Sequence, residues 1–452
     1  MIHFDKKQLL NTALWLIFTL FLCLPIHVEA QQKLKVHRCG NDLYRQALEV
    51  KHPGYIEREK RAFEMAEQSV LPRSGEVYRI PVVFHVIYNT NRQNIDDSLI
   101  NNQIKVLNDA FRNRHADTAN TRNIFKPLAG DAEIEFFLAE IDPDGNPTTG
   151  ITRTKTDIET FGDISIILGT FNLEDFERMK FTEKGGQDAW PTNKYLNIWV
   201  ADAGISFLGV YFPALLGLAT PPRYPSLPDN WPEGSVDGIV DGVFLQYQTI
   251  GNNNPYKEDL QDLVSAGRTA VHEIGHYFGL RHIDGDEECG TDGIDDTPTM
   301  NLSSQEAGTC PDASINTCNT SEPNDLPDMW ENYMDYSNDI CQSLFTNGQV
   351  SHMRKVLTSQ RDTLYNWKLG TIDRAINQMA IYPNPAQNTI HLHHVATNGV
   401  LTVYNAMGQV VKRIESVSTS TIDVANLNPG FYVMVYEVES KLLQARFVIH
   451  RP

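Results

Sequence analysis

An α+β fold with a central sheet, followed by a small all-β sandwich, is what this sequence predicts, on three observations. Up to about residue 370, apolar β-branched runs alternate with runs of helical period; from about residue 376, short strand-like runs recur between turn residues. The chain has 452 residues, 41% hydrophobic and 21% charged, the composition of an ordinary globular protein with room for two or three domains. That balance excludes a collagen, a coiled coil or a disordered tail.

Residues 1–30 read as a secretory signal. Lys6 and Lys7 precede the apolar run ALWLIFTLFLCL, and Val28-Glu29-Ala30 offers small residues for cleavage before Gln31. The run is shorter than the roughly twenty residues a membrane-spanning helix needs, and no later segment is long and apolar enough to span. Residues 31–75 are charged and have a helical pattern over 55–68. YRIPVVFHVIY is a β-branched apolar strand, and Ile100, Ile104, Leu107 and Phe111 then recur at helical spacing. Strands are expected at 132–141, 195–200 and 242–247, and helices at 263–279 and 347–367, closing a domain over 76–368. Residues 376–452 (TIHLHHV, LTVYNAMGQVV, STIDVANL, GFYVMVY, QARFVIH) have the spacing of a small all-β sandwich.

Charge and cysteine usage narrow the partners. The chain has 38 Lys or Arg against 57 Asp or Glu, a net −19, which repels nucleic-acid phosphates and anionic lipid. Between His282 and Met353 lie fifteen Asp or Glu and no Lys or Arg, a concentration suited to bound cations or a basic substrate. An exported protein keeps disulfides, and five cysteines remain after the signal: Cys39, Cys289, Cys310, Cys318 and Cys341. Two disulfides among the last four leave Cys39 as a separate thiol, with three pairings open.

The segment TAVHEIGHYFGLRH carries the chemistry. On a helix, His272 and His276 project from one face a turn apart, a spacing that lets two neutral imidazoles hold one Zn²⁺. Gly279 can take the left-handed conformation that ends a helix and swings the chain round, bringing His282 in from another direction. Three neutral ligands leave the ion's charge intact and a position open for water. Glu273, next to the first His, can accept that water's proton as general base and pass it to a leaving amine. The expected reaction is peptide-bond hydrolysis. A catalytically silent adhesin or binding protein that kept the fold is the alternative, but it need not have retained Glu273 and all three His. A hydrolase with a downstream Glu as third ligand would keep zinc in His282→Ala. His85, His115 and His352 lack ligand-like spacing and read as packing or surface residues.

The motif from His272 to His282 resembles that of the metzincin metallopeptidases. RIPVVFHVIY, YLNIWVADAG and NYMDYSNDIC extend the likeness to the pappalysin family over most of 76–365. The resemblance implies a twisted mixed sheet above the zinc-binding helix and a loop-rich, disulfide-bonded lower part. It implies that Met334 packs beneath the imidazoles, that the Tyr336 hydroxyl stabilises the tetrahedral intermediate, and that the cysteines pair Cys289–Cys318 and Cys310–Cys341. The run from Asp292 to Pro298 resembles a calcium loop, with Asp292, Asp295 and Thr297 as ligands. Asp339 matches the base of the pocket beyond the scissile bond, implying cleavage on the N-terminal side of Arg, less well Lys. Cys39 in HRCGND resembles a propeptide cysteine that ligates zinc in the zymogen, with residues 31–72 removed near Arg73. IYPNPAQNTI, VYNAMGQVV, LNPGFYVM and RFVI resemble the sorting domain of type IX secretion substrates, an Ig-like sandwich. The implied partners are peptide substrates and that secretion machinery. The implied product is a monomer, released or held at the cell surface.

Overall fold

A computed structural model describes residues 36–71, 75–207, 210–222, 235–236, 239–260, 264–302, 309–318, 325–365, 377–379, 381–392, 399–405, 409–438 and 441–451. Residues 1–30, read from sequence as a secretory signal, and the expected junction at Arg73 lie outside the described residues. Contacts divide the chain into two units, Met1–Trp367 and Lys368–Pro452.

The first unit is built on one apolar strand. β1 (Tyr78–Tyr88) is buried along nearly all its length, as its unbroken apolar text requires of a central parallel strand covered on both faces. One edge of β1 pairs with β2 (Ile134–Leu138) and then β3 (Ile151–Lys155), and the other with β4 (Leu196–Ala201), all parallel. β4 continues to β5 and β6, in which β5 (Gly217–Ala219) is the antiparallel edge and β6 (Val243–Gln246) lies between it and β4. The sheet is therefore mixed. The amphipathic helix α3 (Asp97–Phe111), capped by Asp96 accepting from Ser98 N at 2.8 Å, buries Ile100, Leu107 and Phe111 in the main core. That core also takes Ala270, Val271 and Ile274 of α4 (Arg268–Tyr277), so the sheet and α3 fix where α4 sits. Helix α5 (Asn347–Ser359) starts at a capping box between Thr346 and Gln349 and buries Met353 and Leu357 in the same core.

Two expected helices are shorter than their patterns. α4 begins after Gly267, at φ 71°, and ends before Gly279, at φ 88°, because each glycine takes the left-handed conformation that breaks the helix. α5 stops at Ser359 rather than running on to 367. Ahead of the sheet lie α1 (Asn41–Lys51), absent from the sequence reading, and α2 (Tyr55–Gln68).

The acidic segment has little regular structure and a small core of Phe125, Ile283, Met300, Met329 and Leu344. Disulfides Cys289–Cys318 and Cys310–Cys341 staple it, and Cys39 is free and buried. By chain entropy, loops of this length make each staple worth about 3–4 kcal/mol. The second unit has a five-stranded sheet centred on Gly430–Val438 and Lys441–Ile449, and a three-stranded sheet of Ile381–Tyr382, Thr389–Leu392 and Thr421–Asp423. Ile390, Leu401, Val403, Met434 and Phe447 pack in its core.

His85, His115 and His352 are all buried, so none is a surface residue. His85 sits between Thr152 Oγ1 at 2.8 Å and Asn197 Oδ1 at 2.9 Å, and burial pushes its imidazole down to about 4. A group whose folded value is depressed below its ordinary 6.5 takes up a proton on unfolding, so stability is lost as pH falls from 6.5 to 4. At 1.36 kcal/mol per unit this amounts to about 3 kcal/mol. Urea unfolding across that range is expected to show the extra acid sensitivity in the wild type and not in His85→Gln.

Candidate metal and catalytic site

α4 delivers the first two imidazoles and its broken end delivers the third. Gly279 N donates to His276 O at 2.9 Å and Leu280 N to Gly275 O at 3.0 Å, the closing bonds of a helix that ends in a left-handed residue. A Cβ on Gly279 would lie 3.0 Å from both His352 Nε2 and Val356 Cγ2, so packing against α5 also demands glycine. The chain then turns back and brings His282 beside His272 and His276.

The three Nε2 atoms face one point. His272 and His276 are 3.1 Å apart there, and His282 is 3.2 Å from each. Every Nδ1 faces an oxygen: His272 that of Tyr333 O at 2.7 Å, His276 that of Leu280 O at 2.8 Å and His282 that of Asp286 Oδ1 at 2.5 Å. Protonation at Nδ1 leaves each Nε2 lone pair directed at the shared point, where three lone pairs at this separation repel unless a cation lies between them. Bonds of about 2.0–2.1 Å at tetrahedral angles require nitrogens about 3.3 Å apart. The donor set fits zinc. Cys39 completes a buried group of four metal-ligating side chains with these three histidines.

Glu273 shares the helix but not the ligand cluster. It is wholly buried, Oε1 has no hydrogen-bond partner, and Oε2 lies 3.7 Å from Cys39 Sγ. Burial pushes its carboxyl up to about 8, opposed by the Cys39 contact and by His282. Room for it comes from β5, since a Cβ on Gly217 would sit 2.5 Å from Glu273 Cγ.

The floor is the turn after Trp330. Met334 is fully buried against Gly275, where a Cβ would lie 2.6 Å from its Sδ, so the glycine inside the motif makes space for the sulfur. Tyr336 stands with its ring centre 4.9 Å from that of His282 and 5.9 Å from that of His272. Burial, reinforced by Cys39, raises its phenol well above 10. Asp339 is buried with Oδ2 accepting from Ala266 N at 3.2 Å and Arg268 N at 3.1 Å, while its Oδ1 binds Arg38. Arg38 also donates to Tyr336 O at 3.1 Å and to Ser337 O.

Residues 37–40 lie along the segment from Ala214 to Gly217 that leads into β5. His37 N donates to Ala214 O at 2.9 Å, Leu216 N to His37 O at 3.0 Å and Gly40 N to Gly217 O at 2.9 Å. In the acidic loop, Asp292 Oδ1 accepts from Ile294 N at 3.0 Å and Thr297 Oγ1 at 2.7 Å, whereas Oδ2 is buried without a partner. Asp295 is exposed, and no group of three metal-ligating His, Cys, Asp or Glu forms there among the described residues. Neighbouring Asp296 instead accepts from Thr346 Oγ1 at 2.5 Å and Gly348 N at 2.8 Å, at the start of α5.

Sequence reasoning missed Asp286 and the Tyr333 carbonyl, the partners that orient two of the imidazoles. Asp286 stands four residues past His282, a signal hidden among so many acids. It also missed Gly217, which nothing in the local text distinguishes.

Comparisons agree with this geometry. Residues 246–358 match the family model described as pregnancy-associated plasma protein-A, and residues 380–450 match the secretion system C-terminal sorting domain, which marks the protein as exported. No described helix is long and apolar enough to cross a membrane. An extracellular metalloprotease of Verticillium alfalfae is 32% identical over 186 residues, 40% of this chain and 55% of that protein. Another, from Uncinocarpus reesii, is 36% identical over 158 residues, 35% of this chain and 51% of that protein. The matches thus span about half the length of these curated relatives. Among solved structures, a promirolysin variant of Tannerella forsythia is 37% identical with a TM-score of 0.57, covering 72% of this chain and 96% of that one. Mature mirolysin of Tannerella forsythia in complex with a cleaved peptide is 38% identical with a TM-score of 0.50, covering 65% of this chain and all of that one. With a metzincin-like mixed sheet, the long histidine motif and near-complete coverage of those structures, the chain belongs to the pappalysin family of metallopeptidases.

Proposed function

We propose that the protein is a secreted zinc endopeptidase, made as a zymogen, that cleaves peptide bonds on the N-terminal side of Arg and less well Lys. One observation carries this reading: three imidazole Nε2 atoms converge beside the unpartnered oxygen of a buried Glu. His272, His276 and His282 would hold the metal in the mature enzyme, with Cys39 as a fourth ligand before activation. Zinc, when bound, supplies Lewis acidity, polarising a carbonyl and lowering the pKa of water.

The chain's own residues do the rest. A substrate strand takes the main-chain partners at Ala214, Leu216 and Gly217 that His37 and Gly40 now occupy. Asp339, its Oδ2 pinned by two backbone amides, pairs with the substrate's Arg as it now pairs with Arg38. Glu273 accepts the attacking water's proton at its carboxylate and hands it to the leaving amine. The Tyr336 hydroxyl donates to the oxygen of the tetrahedral carbon, and its raised pKa keeps it a donor. Met334 holds α4 from below. Residues 31–75 act as propeptide, 76–368 as catalytic domain and 376–452 as the type IX sorting domain.

The test is zinc content, together with cleavage-site mapping on a peptide library with wild type and Asp339→Ala. Absence of zinc, or no enrichment of Arg after the cut, defeats the corresponding half of the reading.

Calcium belongs to the same proposal. Burial pushes Asp292 up to about 7, and its unpartnered oxygen beside the Thr297 hydroxyl suits a hard cation. EGTA is expected to lower the melting temperature of the wild type by several degrees, and to leave that of Asp292→Asn unchanged in a calorimetric scan.

A further inference from the structure

Helix α1 carries a side chain that neither the Arg38–Asp339 pair nor the placement of Cys39 requires. The chain crosses the site once: Arg38 lies against Asp339, Cys39 faces Glu273, and Gly40 donates to Gly217 O. Tyr44, farther along the chain in the direction that leads from Asp339 past Glu273, is fully buried. Its ring meets Phe171 edge-on at 5.7 Å and belongs to a cluster with Phe161, Phe176, Leu215 and Leu218. At the closed end, its hydroxyl donates to Glu177 Oε1 at 3.1 Å.

That acceptor is held without Tyr44. Glu177 Oε1 also accepts from Lys180 Nζ at 2.9 Å, and Oε2 accepts from Val240 N at 3.3 Å. Lys180 Nζ donates to Val240 O at 2.8 Å and lies 5.3 Å from the Trp199 ring centre. All these groups belong to residues 76–368, so the aromatic walls and the carboxylate floor stay in place when 31–75 leave. Leu218 follows Gly217 in β5 but points to the opposite face of the sheet, so the hollow and Glu273 lie on the two sides of the same edge strand. A flat apolar ring with a hydroxyl donor at its far end satisfies both walls and floor; an aliphatic side chain leaves Glu177 without that donor.

We propose that the hollow filled by Tyr44 is a substrate subsite of the mature enzyme, upstream of the scissile bond, taking a tyrosine and less well a phenylalanine side chain. It rests on the reading that 31–75 depart and that Asp339 takes the residue after the cut.

Two measurements test it. Full chain matured by proteolysis is expected to cleave a peptide with upstream tyrosine about tenfold more efficiently, in kcat/KM, than its alanine counterpart, chiefly through KM. In Phe171→Ala that ratio falls towards one while the preference for Arg after the cut persists. A wild-type ratio near one, or a ratio untouched by Phe171→Ala, overturns the subsite. Cleavage of no peptide at all sinks the protease reading instead. The second measurement then still decides: a labelled peptide of residues 41–51 binds the matured Glu273→Ala chain about tenfold more weakly after Tyr44→Ala and about threefold after Tyr44→Phe. Equal binding of the three peptides overturns the proposal.

Discussion

Glu273→Ala is expected to keep one zinc per chain and lower kcat by about 10²–10⁴-fold, the usual weight of a positioned general acid–base group. His282→Ala is expected to lose both metal and activity. The contrast follows from the geometry. Glu273 lies outside the converging Nε2 trio, so its removal leaves every ligand and every Nδ1 partner intact. His282 is one third of the trio and is held by Asp286, so alanine there leaves two donors once the segment that carries Cys39 has been removed. Elemental analysis of the variants after maturation by an added protease, with kcat on an Arg-containing peptide, reads both effects. Zinc retained in His282→Ala would mean that another residue completes the site, as in the rival with a downstream Glu ligand.

Arg38→Ala and Cys39→Ala, made in the uncleaved chain, are expected to raise its peptidase activity by about 10²-fold or more over the intact wild type. Arg38 and Asp339 are both buried, and removing one partner of such a pair costs about 3–5 kcal/mol, enough to loosen the covering segment by that factor. Cys39 offers the thiol that would fill the open metal position, so alanine frees that position while the strand contacts of His37 and Gly40 persist. Asp339→Ala separates the two roles of the pocket. It unlatches the uncleaved chain as Arg38→Ala does, yet in the matured chain it lowers kcat/KM for Arg peptides relative to others by about 10²-fold. Activity is followed on a quenched peptide before any cleavage is visible by gel. An uncleaved Arg38→Ala chain as silent as wild type would show that the pair does not govern latency.

Much of the fold was legible because it was written locally. The β1 run is one unbroken apolar strand, and it is the centre of the sheet. The pattern over 55–68 is the helix Tyr55–Gln68. α1 was not legible, since it buries only Asn41, Tyr44 and Leu48, a stripe too sparse to show in a charged segment. β5 was missed as well, being three residues long and defined only by its partner β6. The ends of α4 were misplaced by several residues, since where Gly267 turns left-handed depends on packing around it.

By itself the sequence pointed to the three imidazoles and the carboxylate beside them. Helical period puts His272 and His276 on one face, and a glycine that can adopt positive φ returns His282, all within eleven residues. Only the tertiary structure decided that the Tyr333 carbonyl orients His272, that Arg38 lies on Asp339 three hundred residues away, and that Gly217 makes room for Glu273. Those contacts join segments remote in the chain, and neither helical nor strand period carries any record of which distant residue the folded core brings alongside.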